Sequence, residues 1–105
     1  MIRHCVFYSF RTDVGHAERA AIHAELDALR NVVDGMGEMT FGPNVSPEPF
    51  ARGYTDGFTI DFRDAAARDA YLVHPDHQKA GARLVGAIDG GTERLFVFDV
   101  GAWAD

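Results

Sequence analysis

Tyr71, His74 and His77 bring side chains suited to proton transfer or ligand contact into one short stretch, Asp69-Ala70-Tyr71-Leu72-Val73-His74-Pro75-Asp76-His77. Pro75 organises it. A proline fixes its own φ and pushes the residue before it away from the helical region. A helix arriving through Tyr71 is therefore predicted to stop near Val73 or His74. A second helix is predicted to start at Pro75, because proline fits a first helical turn. A phenol and two imidazoles then meet at a bend between two helices. His74, just ahead of a helix start, is placed to cap free N–H groups. The His74-x-x-His77 spacing suits a metal pair but lacks an obvious third ligand beyond Asp76 or nearby Glu, so no metal and no cofactor are predicted.

The elements that position this stretch follow from periodicity. Residues 2–10 read as a strand rich in β-branched and aromatic residues. Ile2, His4, Val6, Tyr8 and Phe10 point one way, Cys5 and Phe7 the other. From about His16 to Asp34, Ile22, Leu26, Leu29 and Val33 recur at helical intervals, and Gly35 suits the C-terminal cap. Met39 to Val45 reads as a second strand, followed by a loop over 46–55 with Pro47, Pro49 and Gly53. Residues 56–62 alternate, with Phe58, Ile60 and Phe62 on one side. Asp64 suits the cap of a short helix to about Val73. The next helix runs from about Pro75 to Ile88, with His77, Ala80, Leu84 and Ile88 on one stripe. Gly90-Gly91 ends it, and residues 93–100 form a last strand. Leu95 and Val97 face one side of it; Phe96, Phe98 and Val100 face the other. The tail carries the only tryptophan, Trp103.

This β-α-β-β-α-β order predicts one α+β domain over residues 1–105. The fold class is a ferredoxin-like sandwich, a four-stranded antiparallel sheet with helices on one face. The first and last strands are apolar on both faces and need cover on both. A second copy is the simplest source, so a homodimer with two sheets face to face, closing an α/β barrel, is expected.

Bulk properties exclude several classes. The chain has 105 residues, 47% hydrophobic and 25% charged, with a net charge of −6 shared between its two halves. An acidic chain without a basic stripe does not suit nucleic acid or an anionic membrane. No apolar run approaches the length of a membrane span. One cysteine, Cys5, allows no intrachain disulfide and reads as a buried small hydrophobe. Met1-Ile2-Arg3-His4 leads straight into a strand, so no leader is expected and the cytoplasm is the default.

His4 reads either as a core histidine or as a pocket wall. If its sheet face lines a cavity, Val6, Tyr8, Phe58 and Ile60 are the apolar surface of that cavity. Otherwise the same residues fill the dimer interface. His16 and His23 are expected to face solvent.

Several of these residues coincide with a known pattern. They are His4 with Val6 and Phe10, Gly42-Pro43-Asn44-Val45-Ser46, Gly53-Tyr54-Thr55, Phe62, and Tyr71 with His74-Pro75-x-His77. Together they resemble the stress-responsive A/B-barrel family, and the matches cover most of the chain. The resemblance implies a dimeric α+β barrel. Some members are enzymes, including a plant cyclase that closes a polyketide chain by aldol condensation; others are linked to stress resistance without known chemistry. Carried over residue by residue, the catalytic Tyr–His pair falls on Tyr71 and His77, and a pocket histidine falls on His4. Asp56 stands where that cyclase has a further pocket histidine, which changes charge and donor capacity.

On this resemblance, His77 would act as general base and Tyr71 would hydrogen-bond a developing enolate oxygen. The expected ligand is a small, mostly apolar, aromatic or polyketide-like molecule between the sheet and the helical bend, with His74 beside it. The rival expectation is a non-catalytic stress or assembly protein in which Tyr71 and His77 only hold the fold. A third, from fold analogy alone, is a cofactor-free monooxygenase or haem-binding protein.

Overall fold

The first strand, β1 (Ile2–Tyr8), occupies an interior position because it is paired on both sides. The structure, a computed structural model, describes residues 1–101; Trp103 lies outside the described residues. Helix α1 (His16–Asp27) follows, then β2 (Met36–Pro43), β3 (Asp56–Phe62), α2 (Ala65–Val73), α3 (Pro75–Ala87) and β4 (Phe96–Val100). The sheet order is β2-β3-β1-β4, with every neighbouring pair antiparallel. This is the ferredoxin-like arrangement that the element order predicts.

Strand alternation decides which side chains meet the helices. His4 lies opposite Ile60 and Asp99, and Val6 opposite Phe58 and Val97. Val6, Tyr8, Phe58, Ile60 and Phe62 are buried in one cluster with Ile22 and Leu26 of α1, Tyr71 of α2 and Leu84 of α3. Each large apolar side chain removed from water there contributes about 1.5–3 kcal/mol. The sequence reading left these strand residues as cavity wall or dimer interface. Packed under the helices, they are not available to an interface on the other face. That outer face carries Cys5 opposite Phe98 and Phe7 opposite Phe96. Phe7, Phe96, Phe98 and Val100 are exposed on it.

Three boundaries differ from the sequence reading. α1 ends at Asp27, and a 3-10 turn over Ala28–Asn31 carries the chain onward. Leu29 and Val33 stay buried, so the apolar stripe outlasts the helix that it suggested. β2 starts at Met36, with an irregularity in register between Met36 and Met39. A Cβ on Gly37 would meet the Asp61 carbonyl oxygen at 2.7 Å, so a glycine there is what lets the two strands approach. Before β4, Gly91–Arg94 forms another 3-10 turn, entered through Gly90 at φ +80, and the strand begins only at Phe96.

Gly35 also sets the position of α2. Its φ of +85 is left-handed, and a Cβ there would lie 2.9 Å from the Cβ of Ala67. Glycine therefore permits both the turn into β2 and the close approach of the helix that carries Tyr71. Among the described residues, no helix is long and apolar enough to cross a membrane.

Candidate functional site

Asp64 starts α2: its carboxylate accepts the Ala67 N–H at 2.9 Å. That N–H and the Arg63 guanidinium hold the Asp64 carboxyl below the usual carboxylate range. Two turns on, Tyr71 points into the core and is fully buried. The helix stops at His74, which is extended, with φ −65 and ψ 134. Pro75 then opens α3, and His74 Nδ1 accepts the Asp76 N–H at 3.1 Å. His74 is therefore the cap of the second helix, as its place before proline predicts.

The bend returns His77 to Tyr71. Their ring centroids lie 4.3 Å apart, with the planes at 52°. His77 Nδ1 is 3.1 Å from the Leu72 carbonyl oxygen. A carbonyl only accepts, so Nδ1 carries the hydrogen and Nε2 keeps a free lone pair. Burial pushes the His77 pKa below its usual value; the Leu72 carbonyl partly opposes this, and the nearby His4 and His74 add to it. A neutral imidazole with a bare nitrogen is the form that a general base requires. Tyr71 Oη is buried and has no hydrogen-bond partner among the described residues. Burial also pushes the phenol pKa upward, so it acts as a hydrogen donor rather than as a phenolate.

His4 completes the group. It is buried on β1, 5.9 Å from Tyr71 and 6.1 Å from Phe62 between ring centroids. Its Nδ1 lies 2.6 Å from Asp99 Oδ1, while Arg68 Nη1 donates to Asp99 Oδ2 at 3.1 Å. The sequence reading missed Asp99 and Arg68. The available signal was Asp99 as the lone acid within Phe96-Val97-Phe98-Asp99-Val100, on the same strand face as Val97.

The other predicted residues separate. Val6, Phe58 and Ile60 pack around this group on the sheet. Tyr8 lies further along β1, and its hydroxyl shares a hydrogen bond with His23 Nε2 at 2.5 Å. His23 was expected in solvent. It is instead buried, with its ring 4.7 Å from that of Phe41. The face that α1 turns to the sheet is wider than its aliphatic stripe, and the Tyr8 phenol satisfies the imidazole there. Burial pushes the His23 pKa down and the Tyr8 pKa up. His16 is exposed, as expected.

Asp56 begins β3 opposite Tyr8 and accepts from Thr55 Oγ1 at 2.7 Å. It lines an open cleft of about 890 Å³ formed with Phe7, Gly57, Tyr54, Phe50 and Phe96. A smaller recess of about 210 Å³ lies among Glu25, Leu29, Val32, Asp76 and Lys79. Neither borders Tyr71, His77 or His4.

Comparison with known proteins agrees with this architecture. The model of the stress responsive A/B barrel domain matches residues 2–101. A solved dimeric ferredoxin-like protein of unknown function from Jannaschia sp. CCS1 is 34% identical, with a TM-score of 0.87, covering 96% of this chain and 98% of that one. The stress-response A/B barrel domain-containing protein HS1 of Arabidopsis thaliana is 26% identical over 88 residues, 84% of this chain and 81% of that protein. Olivetolic acid cyclase of Cannabis sativa is 21% identical over 98 residues, 93% of each chain.

Proposed function

Since the chain belongs to the stress responsive A/B barrel domain family, we propose that it binds a small, mostly apolar or aromatic molecule between the sheet and the α2–α3 bend. Tyr71 and His77 are the polar groups of that site. The observation that carries this reading is the Tyr71 hydroxyl, buried without a partner beside an imidazole whose Nε2 is free. An unpaired buried hydroxyl costs about 1–3 kcal/mol, which a bound carbonyl or hydroxyl oxygen would offset. With a ligand in place, His77 Nε2 takes a proton from carbon next to a carbonyl, and Tyr71 O–H stabilises the enolate oxygen. Similarity to a named cyclase supports acid–base chemistry of this type.

The protein acts as a homodimer on this reading. The exposed outer-face side chains Phe7, Phe96, Phe98 and Val100 support it, as does the Jannaschia relative, which is described as dimeric. A face of this kind is the expected seat of a second sheet.

A second reading has its own support. The His77–Leu72 hydrogen bond spans the helix bend. A stress-response protein in which the pair only braces that bend would need the same contact. A thermal-shift screen separates the two. Aromatic acids, phenols and polyketide fragments are tested on wild type, Tyr71→Phe and His77→Ala. Bound ligand raises the melting temperature by mass action. Hits that vanish in both variants support the binding site. A screen without hits, together with a strongly destabilised His77→Ala, favours the brace.

A further inference from the structure

Resting on the reading that ligand binds against Tyr71 and His77, we propose that Asp99, held by Arg68, positions His4 as a second hydrogen-bond acceptor, so that the site selects a hydroxy-carbonyl compound.

The hydrogens present limit what the site can pair with. His4 Nδ1 lies 2.6 Å from an Asp99 carboxylate oxygen. An ionised carboxylate can only accept, so Nδ1 carries the hydrogen, and Nε2 is bare whenever the ring is neutral. The Leu72 carbonyl imposes the same tautomer on His77. Tyr71 supplies one O–H, which no described residue accepts. The site therefore offers two ring nitrogens as acceptors and, from the buried phenol, one hydrogen.

A simple ketone answers only part of this. Its oxygen accepts from Tyr71, and an acidic C–H beside the carbonyl faces one histidine. The other ring nitrogen gains no partner from it, and a ligand that covers that nitrogen removes the water it would otherwise meet, which is costly. A hydroxyl close to the carbonyl supplies the missing hydrogen.

The two histidines are fixed by different means. His77 is tied to a neutral backbone carbonyl, whereas His4 is tied to a charged carboxylate, which makes the stronger bond. The carboxylate is itself set in place, because Arg68 donates to its second oxygen at 3.1 Å. Asp99 thus acts through His4 and is a positioning residue.

The test uses the intact protein, wild type and Asp99→Ala, with Asp99→Asn in case the alanine variant folds poorly. Long-range ¹H–¹⁵N spectra at mildly alkaline pH read each imidazole tautomer without any ligand. Wild-type His4 is expected with hydrogen on Nδ1. Asp99→Ala is expected to lose that preference, Asp99→Asn to reverse it, because the amide oxygen accepts from Arg68 and the amide NH2 then faces Nδ1, and His77 to be unchanged in both. Binding is then compared for 4-hydroxy-4-phenylbutan-2-one and for 4-phenylbutan-2-one, which lacks the hydroxyl. Wild type should prefer the hydroxy ketone about five- to tenfold, the size of one net hydrogen bond, and Asp99→Ala should lose the preference. His4 with hydrogen on Nε2 in wild type would overturn the positioning role whatever binds. Equal affinity for the two ketones would overturn the ligand class. Binding of neither, with the His4 tautomer as expected, would sink the small-molecule reading and leave the positioning role standing.

Discussion

The Tyr71 and His77 rings are in contact, with centroids 4.3 Å apart, yet only the imidazole has a hydrogen-bond partner. The phenol holds its hydroxyl in the interior without one. On the proposed reading, that asymmetry marks the phenol as the group that meets the ligand.

Tyr71→Phe tests it directly. Removing a hydroxyl that has no partner relieves its desolvation and leaves the ring packing intact. Stability is expected to stay level or rise by about 1 kcal/mol, while any ligand-induced rise in melting temperature is lost. Calorimetry with and without a screening hit reads both. A variant clearly less stable than wild type would mean that the hydroxyl has a partner after all.

Two histidines, one buried and one half-buried, predict a pH response. Burial depresses the pKa of both His77 and His23 in the folded protein. Below about pH 6.5 the unfolded chain takes up protons that the folded one refuses, so stability falls as pH falls. The loss runs from the unfolded value down to the folded value of each group, and none is expected above about pH 7. His77→Gln should flatten part of the slope. A melting temperature constant between about pH 7 and 5 would count against burial of neutral imidazoles.

The cap of α2 gives a separate acid limb. The Asp64 carboxyl is depressed by the Ala67 N–H, so its contribution is present above the ordinary carboxylate range and disappears as pH falls through the folded value. Asp64→Ala is expected to lower the melting temperature by a few degrees and to loosen the helix that carries Tyr71. Amide hydrogen exchange across Ala65–Val73 should quicken in this variant before it does elsewhere.

Outer-face charge tests the assembly. Phe98 is more than half exposed, beside Cys5 on the face turned away from the helices. Phe98→Asp should leave the monomer fold intact and halve the mass measured by light scattering. Wild type already at the mass of a single 11.5 kDa chain would remove the dimer.

Much of the fold was legible because alternation and helical stripes record burial. Asp56–Phe62 matches the run that alternates, and the break at His74-Pro75 follows from proline sterics. Ends of elements were less legible. Gly37 sits in a strand because Asp61 passes close by, which only the partner strand can show. His23 was misplaced for the same kind of reason: its phenol partner lies 15 residues away on another element. Tyr71, His74 and His77 declared themselves through local spacing. Asp99 did not, because its meaning depends on lying opposite His4 across two strands brought together from the ends of the described chain.

The sheet order has a consequence for how the chain is made. Among the described residues, β1 pairs only with β3 and β4, and β2 only with β3. During synthesis no strand has a sheet partner until residues Asp56–Phe62 leave the ribosome, and β1 gains its second edge only with Phe96–Val100. Nascent chains stalled before β3 should therefore remain open to proteases and chaperones. Protection should begin with β3 and be complete only with β4, since His4, first placed by β1, receives its carboxylate partner from the last strand.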